Sequence, residues 1–280
     1  MKIETAKHSG FCFGVKRAIQ IANETAQNNK KTITLGPIIH NPQMVEFLRK
    51  KGIHSIDDIN DISDETIIIR SHGITAENYK LLLEKDLNIV DATCPFVKKA
   101  QEFAQKLTRD GYQLYILGEK NHPEVEALLS YIDDSAVVVT NPDNPFPKPT
   151  KGKVALIAQT TQSEEKFERL AKKLISLCEE LHVVKTICNA TILRQESTRN
   201  LAQKVDIMIV IGGKNSANTT RLAEIASAEG CRTFHIETGD ELKIAWFENV
   251  DNVGITAGAS TPNWIINSVK EKIKKINETK

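Results

Sequence analysis

Residues 10–18 have the sequence GFCFGVKRA, which places Cys12 between a strand-like run before it and an amphipathic, helix-like run after it. The same kind of junction returns at Cys94 and again at Cys188, each time after a short apolar run. Three such junctions indicate that one structural plan is used three times along the chain, and internal self-similarity of this kind decides the fold.

The positions downstream of the cysteines keep the same spacing. Each cysteine is followed 28 residues later by a polar residue (40 − 12 = 28 for the first), and a glycine precedes that residue by four positions. The polar residues are His40, His122 and Ser216, and the glycines are Gly36, Gly118 and Gly212. A third polar position follows another apolar run, at His72, Thr160 and Ser260. Accidental spacing is the alternative, and the shared glycines favour the repeat.

Strand-like and helix-like runs alternate throughout, which predicts an α/β fold built from small parallel sheets. The repeat divides the chain into three related α/β domains, and the strand before Cys12 completes the third. Their predicted ranges are 13–94, 95–188, and 189–280 together with 1–12. Within the second domain, residues 163–180 are predicted as one helix and residues 183–187 as the strand leading to Cys188. In the first, no strand is predicted between residues 50 and 66.

Composition narrows the classes of function. The chain has 280 residues and a formal net charge of +1, without the basic run that nucleic-acid binding requires. No apolar run approaches the ~20 residues of a membrane span, and the N-terminus lacks a signal- or transit-peptide pattern. We therefore expect a cytoplasmic protein with neither nucleic acid nor membrane as a partner. In that compartment the five cysteines are better read as ligands or catalysts than as disulfides.

The three repeated cysteines can hold one metal centre. Each lies near a helix start, where the backbone N–H groups favour thiolate. Zinc and an iron–sulfur cluster both remain open, because a catalytic zinc keeps three protein ligands and a cluster held by three thiolates leaves one iron open. Dispersed single cysteines, without a close Cys-x-x-Cys pair, favour the cluster. Cys178 and Cys231 have no counterpart in the repeat and are interpreted as packing residues.

The polar residues at the ends of the predicted strands favour an anion site. Helix starts with hydroxyl, amide and imidazole donors suit phosphate or diphosphate. The candidates are His40, His72, His122, Thr160, Ser216, Asn218 and Ser260. Glu124 lies two residues after His122 and has two interpretations from its position alone. It is either a proton donor or an acid that interacts with the dipole of a helix start.

Several motifs together resemble the LytB/IspH family of 4-hydroxy-3-methylbut-2-enyl diphosphate reductases. Beside GFCFGVKRA, the chain has GPIIHNP, RSHG, DATCP, NHPE and QTT at residues 36–42, 70–73, 91–95, 121–124 and 159–161. It also has CNAT, KNSAN and TAGASTP at residues 188–191, 214–218 and 256–262. The motifs stand in order along the whole chain. The resemblance implies three α/β domains in a pseudo-threefold arrangement around a central iron–sulfur cluster.

The resemblance also implies an activity and roles for the residues at the motif positions. The activity is the last step of the non-mevalonate isoprenoid pathway, in which an allylic diphosphate loses its hydroxyl reductively. Cys12, Cys94 and Cys188 would ligate one [4Fe-4S] cluster, and Glu124 would donate a proton. Thr160 would lie near the substrate hydroxyl. The implied diphosphate ligands are His40, His72, His122, Ser216, Ala217, Asn218 and Ser260.

Two further points follow from the resemblance. Reduced ferredoxin or flavodoxin would supply electrons. Ala217 stands where many family members have a second serine, so a side-chain hydrogen bond to the diphosphate is lost while the backbone N–H remains. Two rival classes stay open at this stage: a dehydratase that uses the same open iron without an electron donor, and a phosphate-binding module with a structural zinc.

Overall fold

The computed structural model describes residues 1–28, 31–62, 65–132 and 136–278. In chain order, the strands in these ranges are β1 (Lys2–Thr5), β2 (Thr32–Leu35), β3 (Ile53–Ile56), β4 (Thr66–Ile69), β5 (Ile89–Asp91), β6 (Gln113–Leu117), β7 (Val137–Val139), β8 (Lys153–Ala158), β9 (Glu180–Val183), β10 (Ile207–Ile211), β11 (Arg232–Ile236) and β12 (Asn252–Ala257). The α-helices are α1 (Phe13–Asn28), α2 (Pro42–Lys50), α3 (Ala76–Glu84), α4 (Pro95–Arg109), α5 (Pro123–Ser130), α6 (Glu164–Ile175), α7 (Asn189–Ala202), α8 (Ala217–Ala228) and α9 (Asn263–Glu278).

The described strands form three four-stranded sheets, and every strand pair is parallel. The spatial orders are β3-β2-β4-β5, β7-β6-β8-β9 and β11-β10-β12-β1. In each sheet, the strand that comes second in the repeat lies at one edge. The strands that come first, third and fourth in the repeat follow it across the sheet in that order. β1 takes the place of the fourth strand in the last sheet, as the permuted repeat predicts. The predicted α/β fold with three similar domains is confirmed.

Apolar runs on the central strands explain why the sheets form. β4 and β10 are buried along their whole lengths, as expected of parallel strands covered on both faces. Each sheet has its own apolar core, in which strand residues pack with the helices that follow them. Phe247 and Val269 lie in the core of the last sheet, and both have no exposed surface.

By compactness, the chain divides into two units. The first unit comprises Met1–Lys16, Ile39–Glu46 and Asn189–Lys280, and the second comprises Arg17–Ile38 and Phe47–Cys188. The second unit holds the sheets β3-β2-β4-β5 and β7-β6-β8-β9, and the first holds the remaining sheet. All described strands fall inside the three predicted domain ranges, whose boundaries stay a prediction. The end of the third range, at residues 279–280, lies outside the described residues.

Two element predictions were wrong. β3 was not predicted, because its four residues have two polar residues between two isoleucines and lie directly after a helix end. The helix predicted over residues 163–180 ends at Ile175, and β9 begins at Glu180, earlier than the predicted strand at 183–187. Apolar residues continue at helical spacing beyond Ile175, and neither glycine nor proline marks the end. Cys178 consequently lies after α6 rather than inside it.

Among the described residues, no helix combines the length and the apolar character needed to cross a bilayer.

Candidate active site

Each of the three repeated cysteines makes the same kind of backbone hydrogen bond. In each case the cysteine N–H donates to a carbonyl in the loop after the neighbouring strand of its sheet. The pairs are Cys12 with Ala259 (3.1 Å), Cys94 with Ser71 (3.0 Å) and Cys188 with Thr160 (3.1 Å). The loops after β12, β4 and β8 therefore fix the cysteines. The residues that follow the three accepting carbonyls are His72, Thr161 and Ser260. The counterpart of His72 and Ser260 is therefore Thr161, and not Thr160 as predicted.

The thiols of these cysteines fit metal ligation. None of the three forms a disulfide, and all are only partly buried. Each stands directly before a helix (α1, α4 or α7), and the Sγ of Cys12 accepts a hydrogen bond from the N–H of Val15 at 3.5 Å. Helix N-termini stabilise thiolate over thiol. Cys178 and Cys231 differ, since neither heads a helix and burial raises the pKa of both thiols. The donor set therefore fits a group held by three thiolates.

The three repeated glycines occupy equivalent places. Their N–H groups donate to the last carbonyl of the neighbouring edge strand: Gly36 to Ile56 (2.7 Å), Gly118 to Val139 (3.0 Å) and Gly212 to Ile236 (2.9 Å). A Cβ on Gly36 would lie 2.6 Å from the Arg70 guanidinium, and one on Gly118 would lie 2.9 Å from Val125. A larger residue at either position would therefore require a neighbouring side chain to shift, and Gly36 also has a φ of +70°, which other residues rarely adopt. The glycines let neighbouring loops pack directly on them.

The residue that caps the following helix corrects the predicted alignment of the repeats. His122 caps α5, where its Nδ1 accepts from the N–H of Glu124 (3.1 Å), and Ser216 caps α8 through its Oγ. In the first repeat the capping side chain is Asn41, whose Oδ1 accepts from the N–H of Met44 (2.8 Å). The loop from Gly36 is thus one residue longer than its counterparts. The spacing of 28 had predicted that His40 is the positional equivalent of His122 and Ser216. This prediction is wrong, because Asn41 takes that position.

Glu124 is a buried acidic residue of the second unit. Its side chain is buried in the first turn of α5, and both carboxylate oxygens accept hydrogen bonds from Thr160. The N–H of Thr160 donates to Oε1 at 2.6 Å, and its Oγ1 donates to Oε2 at 2.8 Å. Burial raises the pKa of Glu124 to about 7, although both hydrogen bonds act in the opposite direction. A carboxyl with such a pKa can release a proton near neutrality.

Two histidines lie near one another in the second unit. The rings of His72 and His122 have centroids 5.5 Å apart and meet edge to face at 80°. Because Nδ1 of His122 accepts the capping bond, a neutral His122 carries its proton on Nε2. The cap therefore fixes which ring nitrogen can donate a hydrogen bond to a ligand.

The loop before α8 supplies neutral donors in the first unit. Asn218 is only 4% exposed, and neither atom of its side-chain amide has a hydrogen-bond partner among the described residues. Ser216 is also buried, and its Oγ accepts from the N–H of Thr219 at 3.4 Å, which leaves its own proton to donate. Ala217 is the first residue of α8, so its N–H is one of the unpaired groups at the helix start.

The hydroxyl of Ser260 makes a different hydrogen bond from that of Ser216. Its Oγ donates to the backbone carbonyl of His40 at 2.8 Å, so its single hydroxyl proton is already used. The loop after β12 and the segment containing His40 are thereby joined within the first unit. A hydrogen bond from Ser260 to a ligand would require this bond to exchange.

Two arginines were missed in the sequence analysis as elements of the site. Arg17 donates to the carbonyl of Thr93 (3.1 Å), directly before Cys94. The buried Arg194 donates to the carbonyl of Gly10 (2.8 Å), two residues before Cys12. Both belong to the cysteine motifs, Arg17 to GFCFGVKRA and Arg194 to the run after CNAT. Their presence in these motifs was the available signal, and they hold the cysteine loops in place.

The whole chain is similar to known proteins. A family model described as LytB protein matches residues 3–274. The chain is 49% identical over 280 residues to 4-hydroxy-3-methylbut-2-enyl diphosphate reductase of Geotalea uraniireducens (strain Rf4), with 100% of this chain and 99% of the relative covered. It is 48% identical over 280 residues to the protein of the same name from Geobacter sulfurreducens, with the same coverage.

Two solved structures are similar as well. One is described as (E)-4-hydroxy-3-methyl-but-2-enyl diphosphate reductase, the terminal enzyme of the non-mevalonate pathway. It has a TM-score of 0.70 and 44% sequence identity, and the match covers 98% of this chain and 100% of that one. The other is the E-1-hydroxy-2-methyl-but-2-enyl-4-diphosphate reductase from Plasmodium falciparum. Its TM-score is 0.88 at 26% identity, with 98% and 87% of the chains covered.

Proposed function

The chain belongs to the LytB protein family, and from this membership we propose that it is a 4-hydroxy-3-methylbut-2-enyl diphosphate reductase. Such an enzyme performs the last step of the non-mevalonate isoprenoid pathway. The substrate's allylic hydroxyl leaves as water after uptake of two electrons and two protons, and the products are isopentenyl and dimethylallyl diphosphates. The observation that carries the proposal is the match to relatives of this name at nearly half identity over their full length.

We propose that Cys12, Cys94 and Cys188 are the protein ligands of one [4Fe-4S] cluster. The support is their equivalent position before three helices and their partly exposed thiols, none of which forms a disulfide. When bound, the cluster would supply the electrons and an open coordination position for an oxygen of the substrate. Reduced ferredoxin or flavodoxin is the proposed electron donor, and the cytoplasm, where clusters and thiols persist, is the proposed compartment.

In the second unit, Glu124 is the proposed proton donor. Its burial supports this role, because a carboxyl with a pKa of about 7 holds a proton at neutral pH and can still give it up. The two hydrogen bonds from Thr160 hold the carboxyl in one orientation. Thr160 is therefore proposed to position both the acid and the leaving hydroxyl.

The proposed diphosphate ligands are His40, His72, His122, Ser216, Asn218 and Ser260, together with the backbone N–H of Ala217. Hydroxyl, amide and imidazole donors next to helix N-termini suit an anion with many acceptor oxygens. The unpartnered amide of Asn218 supports the assignment most directly, since a buried amide normally has a partner.

An anaerobic assay of the cluster-reconstituted protein tests the proposed activity. Reduced methyl viologen supplies electrons, and its oxidation is followed after addition of 4-hydroxy-3-methylbut-2-enyl diphosphate. We expect turnover in the natural protein and none in a Cys188→Ser variant. Cys178→Ser is the matched control, because Cys178 is a free cysteine of the same unit that heads no helix, and we expect it to keep full turnover.

Metal and sulfide analysis of the same samples separates the rival functions. Bound iron and sulfide with no turnover by the natural protein would contradict the reductase and favour a dehydratase. Metal without labile sulfide would favour a zinc module. Equal iron content in Cys188→Ser and Cys178→Ser would contradict Cys188 as a ligand.

A further inference from the structure

Asn41 takes the place in the first repeat that His122 and Ser216 take in the others. All three are the last residue before a helix, and the side chain of each accepts a hydrogen bond from an N–H in the first turn. Diphosphate binding is assigned above to His122 and Ser216. We propose that the side-chain Nδ2 of Asn41 is a further hydrogen-bond donor to the diphosphate of the substrate. This inference rests on the proposed function and adds a binding residue to it.

The cap fixes the orientation of the Asn41 amide. Only the oxygen of an amide can accept a hydrogen bond, so the atom 2.8 Å from the N–H of Met44 is Oδ1. Because Oδ1 faces the first turn of α2, the planar amide directs Nδ2 away from that turn. The donor is therefore not used by the helix that Asn41 caps.

Burial makes this donor informative. Asn41 is 1% exposed, and its Nδ2 has no hydrogen-bond partner among the described residues. A buried donor without a partner destabilises a fold, and such groups are rare unless they serve a ligand. Capping alone would be served as well by aspartate or serine, neither of which buries an idle N–H group.

The surroundings of Asn41 in the first unit identify the class of ligand. The carbonyl of its neighbour His40 accepts from Ser260 at 2.8 Å, and a Cβ on Gly213 would lie 2.9 Å from that carbonyl. The segment with Asn41 thus adjoins the loop before α8, where Asn218 also holds a buried amide without a partner. A diphosphate presents acceptor oxygens, and the N-termini of α2 and α8 favour its negative charge.

Two substitutions separate ligand binding from capping. Asn41→Asp keeps the capping oxygen and adds a charge that the helix N-terminus favours, so α2 should remain as stable as before. The same change replaces the Nδ2 donor by a carboxylate oxygen that repels diphosphate. Asn41→Ser also keeps a capping oxygen and adds no charge, but its hydroxyl is shorter than the amide and cannot reach the position of Nδ2.

The experiment measures binding of inorganic diphosphate by calorimetry and the KM for 4-hydroxy-3-methylbut-2-enyl diphosphate, both on the cluster-reconstituted protein. Loss of a hydrogen bond to a charged group corresponds to roughly 10- to 100-fold in affinity. We expect Asn41→Ser to weaken both by about tenfold and Asn41→Asp by about a hundredfold. Thr75→Asp is the charge-matched control, because Thr75 caps α3 through its Oγ1, and we expect a change within about twofold.

Several outcomes would overturn the inference. Diphosphate affinity and KM unchanged in both Asn41 variants would show that Asn41 only caps α2. An effect of Thr75→Asp as large as that of Asn41→Asp would show a general effect of charge. If Asn41→Asp fails to fold, Asn41→Ser decides alone, and no binding of diphosphate by the natural protein would also refute the site. Weakened diphosphate binding without any turnover by the natural protein would instead reject the proposed function and keep the anion site.

Discussion

Glu124 in the second unit and Asn218 in the first occupy the same position of the repeat but have different chemistry. Each is the second residue of a helix that follows a glycine loop, and each is almost fully buried. In Glu124 burial raises the pKa of a carboxyl to about 7, whereas in Asn218 it leaves a neutral amide without a partner. One backbone position can thus hold either an acid or a hydrogen-bonding amide, according to the side chain it carries.

The comparison also shows what the two regions share. The glycine N–H bonds to the edge strand and the cysteine N–H bonds to the neighbouring loop are the same in all three repeats. These bonds involve backbone atoms, so they constrain side chains only where space is short, as at the glycines. Side chains at the helix starts are free to differ, and the chemistry of the site resides in them.

We expect the largest effect from the substitution that removes the acid at this position. Glu124→Gln keeps the size of the side chain and one oxygen that can accept from the N–H of Thr160, but it cannot give a proton in the reaction. We expect turnover to fall by about 10²- to 10⁴-fold, the usual contribution of a general acid. Steady-state assays with reduced methyl viologen measure the change, and near-ultraviolet spectra check the fold.

Glu126→Gln is the control for this substitution. Glu126 lies in the same first turn of α5 but is exposed, so it shares the helix dipole and not the buried environment. Near-normal turnover in Glu126→Gln and a large loss in Glu124→Gln would support the proton donor. Similar small losses in both would show that Glu124 serves only the dipole of α5.

A smaller effect is expected from Thr160, which tunes the acid. The Oγ1 of Thr160 donates to the carboxylate, and this bond lowers the pKa of Glu124. Turnover that needs the protonated acid should decline as pH rises through about 7. In Thr160→Val the pKa rises further, so we expect this decline to move to higher pH by about one unit.

The control for Thr160→Val is Thr161→Val, since the Oγ1 of Thr161 accepts from Gln159 and the acid bonds to Thr160 instead. Its pH profile should match that of the natural protein. A decline that stays in place in Thr160→Val, or moves to lower pH, would contradict the assignment of the pH profile to Glu124.

The smallest expected effect concerns the residue between Ser216 and Asn218. Ala217→Ser would add a hydroxyl and, with it, at most one hydrogen bond to the diphosphate. Such a bond contributes about 1 kcal/mol, so substrate affinity should change by less than tenfold. A larger change in KM would mean that Ala217 does not stand at the edge of the diphosphate site.

Much of the scaffold could be predicted from the sequence because buried parallel strands have a plain signature. β2, β4 and β10 show this signature, since each is a continuous run of apolar and β-branched residues. β3 and β9 are edge strands with exposed residues, so their patterns do not stand out from those of neighbouring turns. The pattern of apolar residues indicates which strands are buried. It does not identify a strand that is half exposed.

The site was predicted less evenly. Residue types and spacing made Cys12 and Glu124 candidates. The pKa of Glu124, however, is raised by burial and lowered by hydrogen bonds from Thr160, 36 positions away, and neither can be predicted from the motif around Glu124. The fixed spacing of 28 also concealed the longer loop that makes Asn41 the cap. An asparagine directly before Pro42 is a common helix-start signal, and weighing it would have revealed the shift.

The place of β1 beside β12 has a consequence for biosynthesis. Translation begins at the N-terminus, so the strand made first must wait for the last of the twelve described strands before it can pair. Cys12, whose N–H donates to the carbonyl of Ala259, reaches its final position equally late, and the proposed cluster can be inserted only once β12 and the loop after it have been made. Meanwhile the nascent strand exposes Lys2 and Glu4, charges that discourage aggregation with other chains on the ribosome.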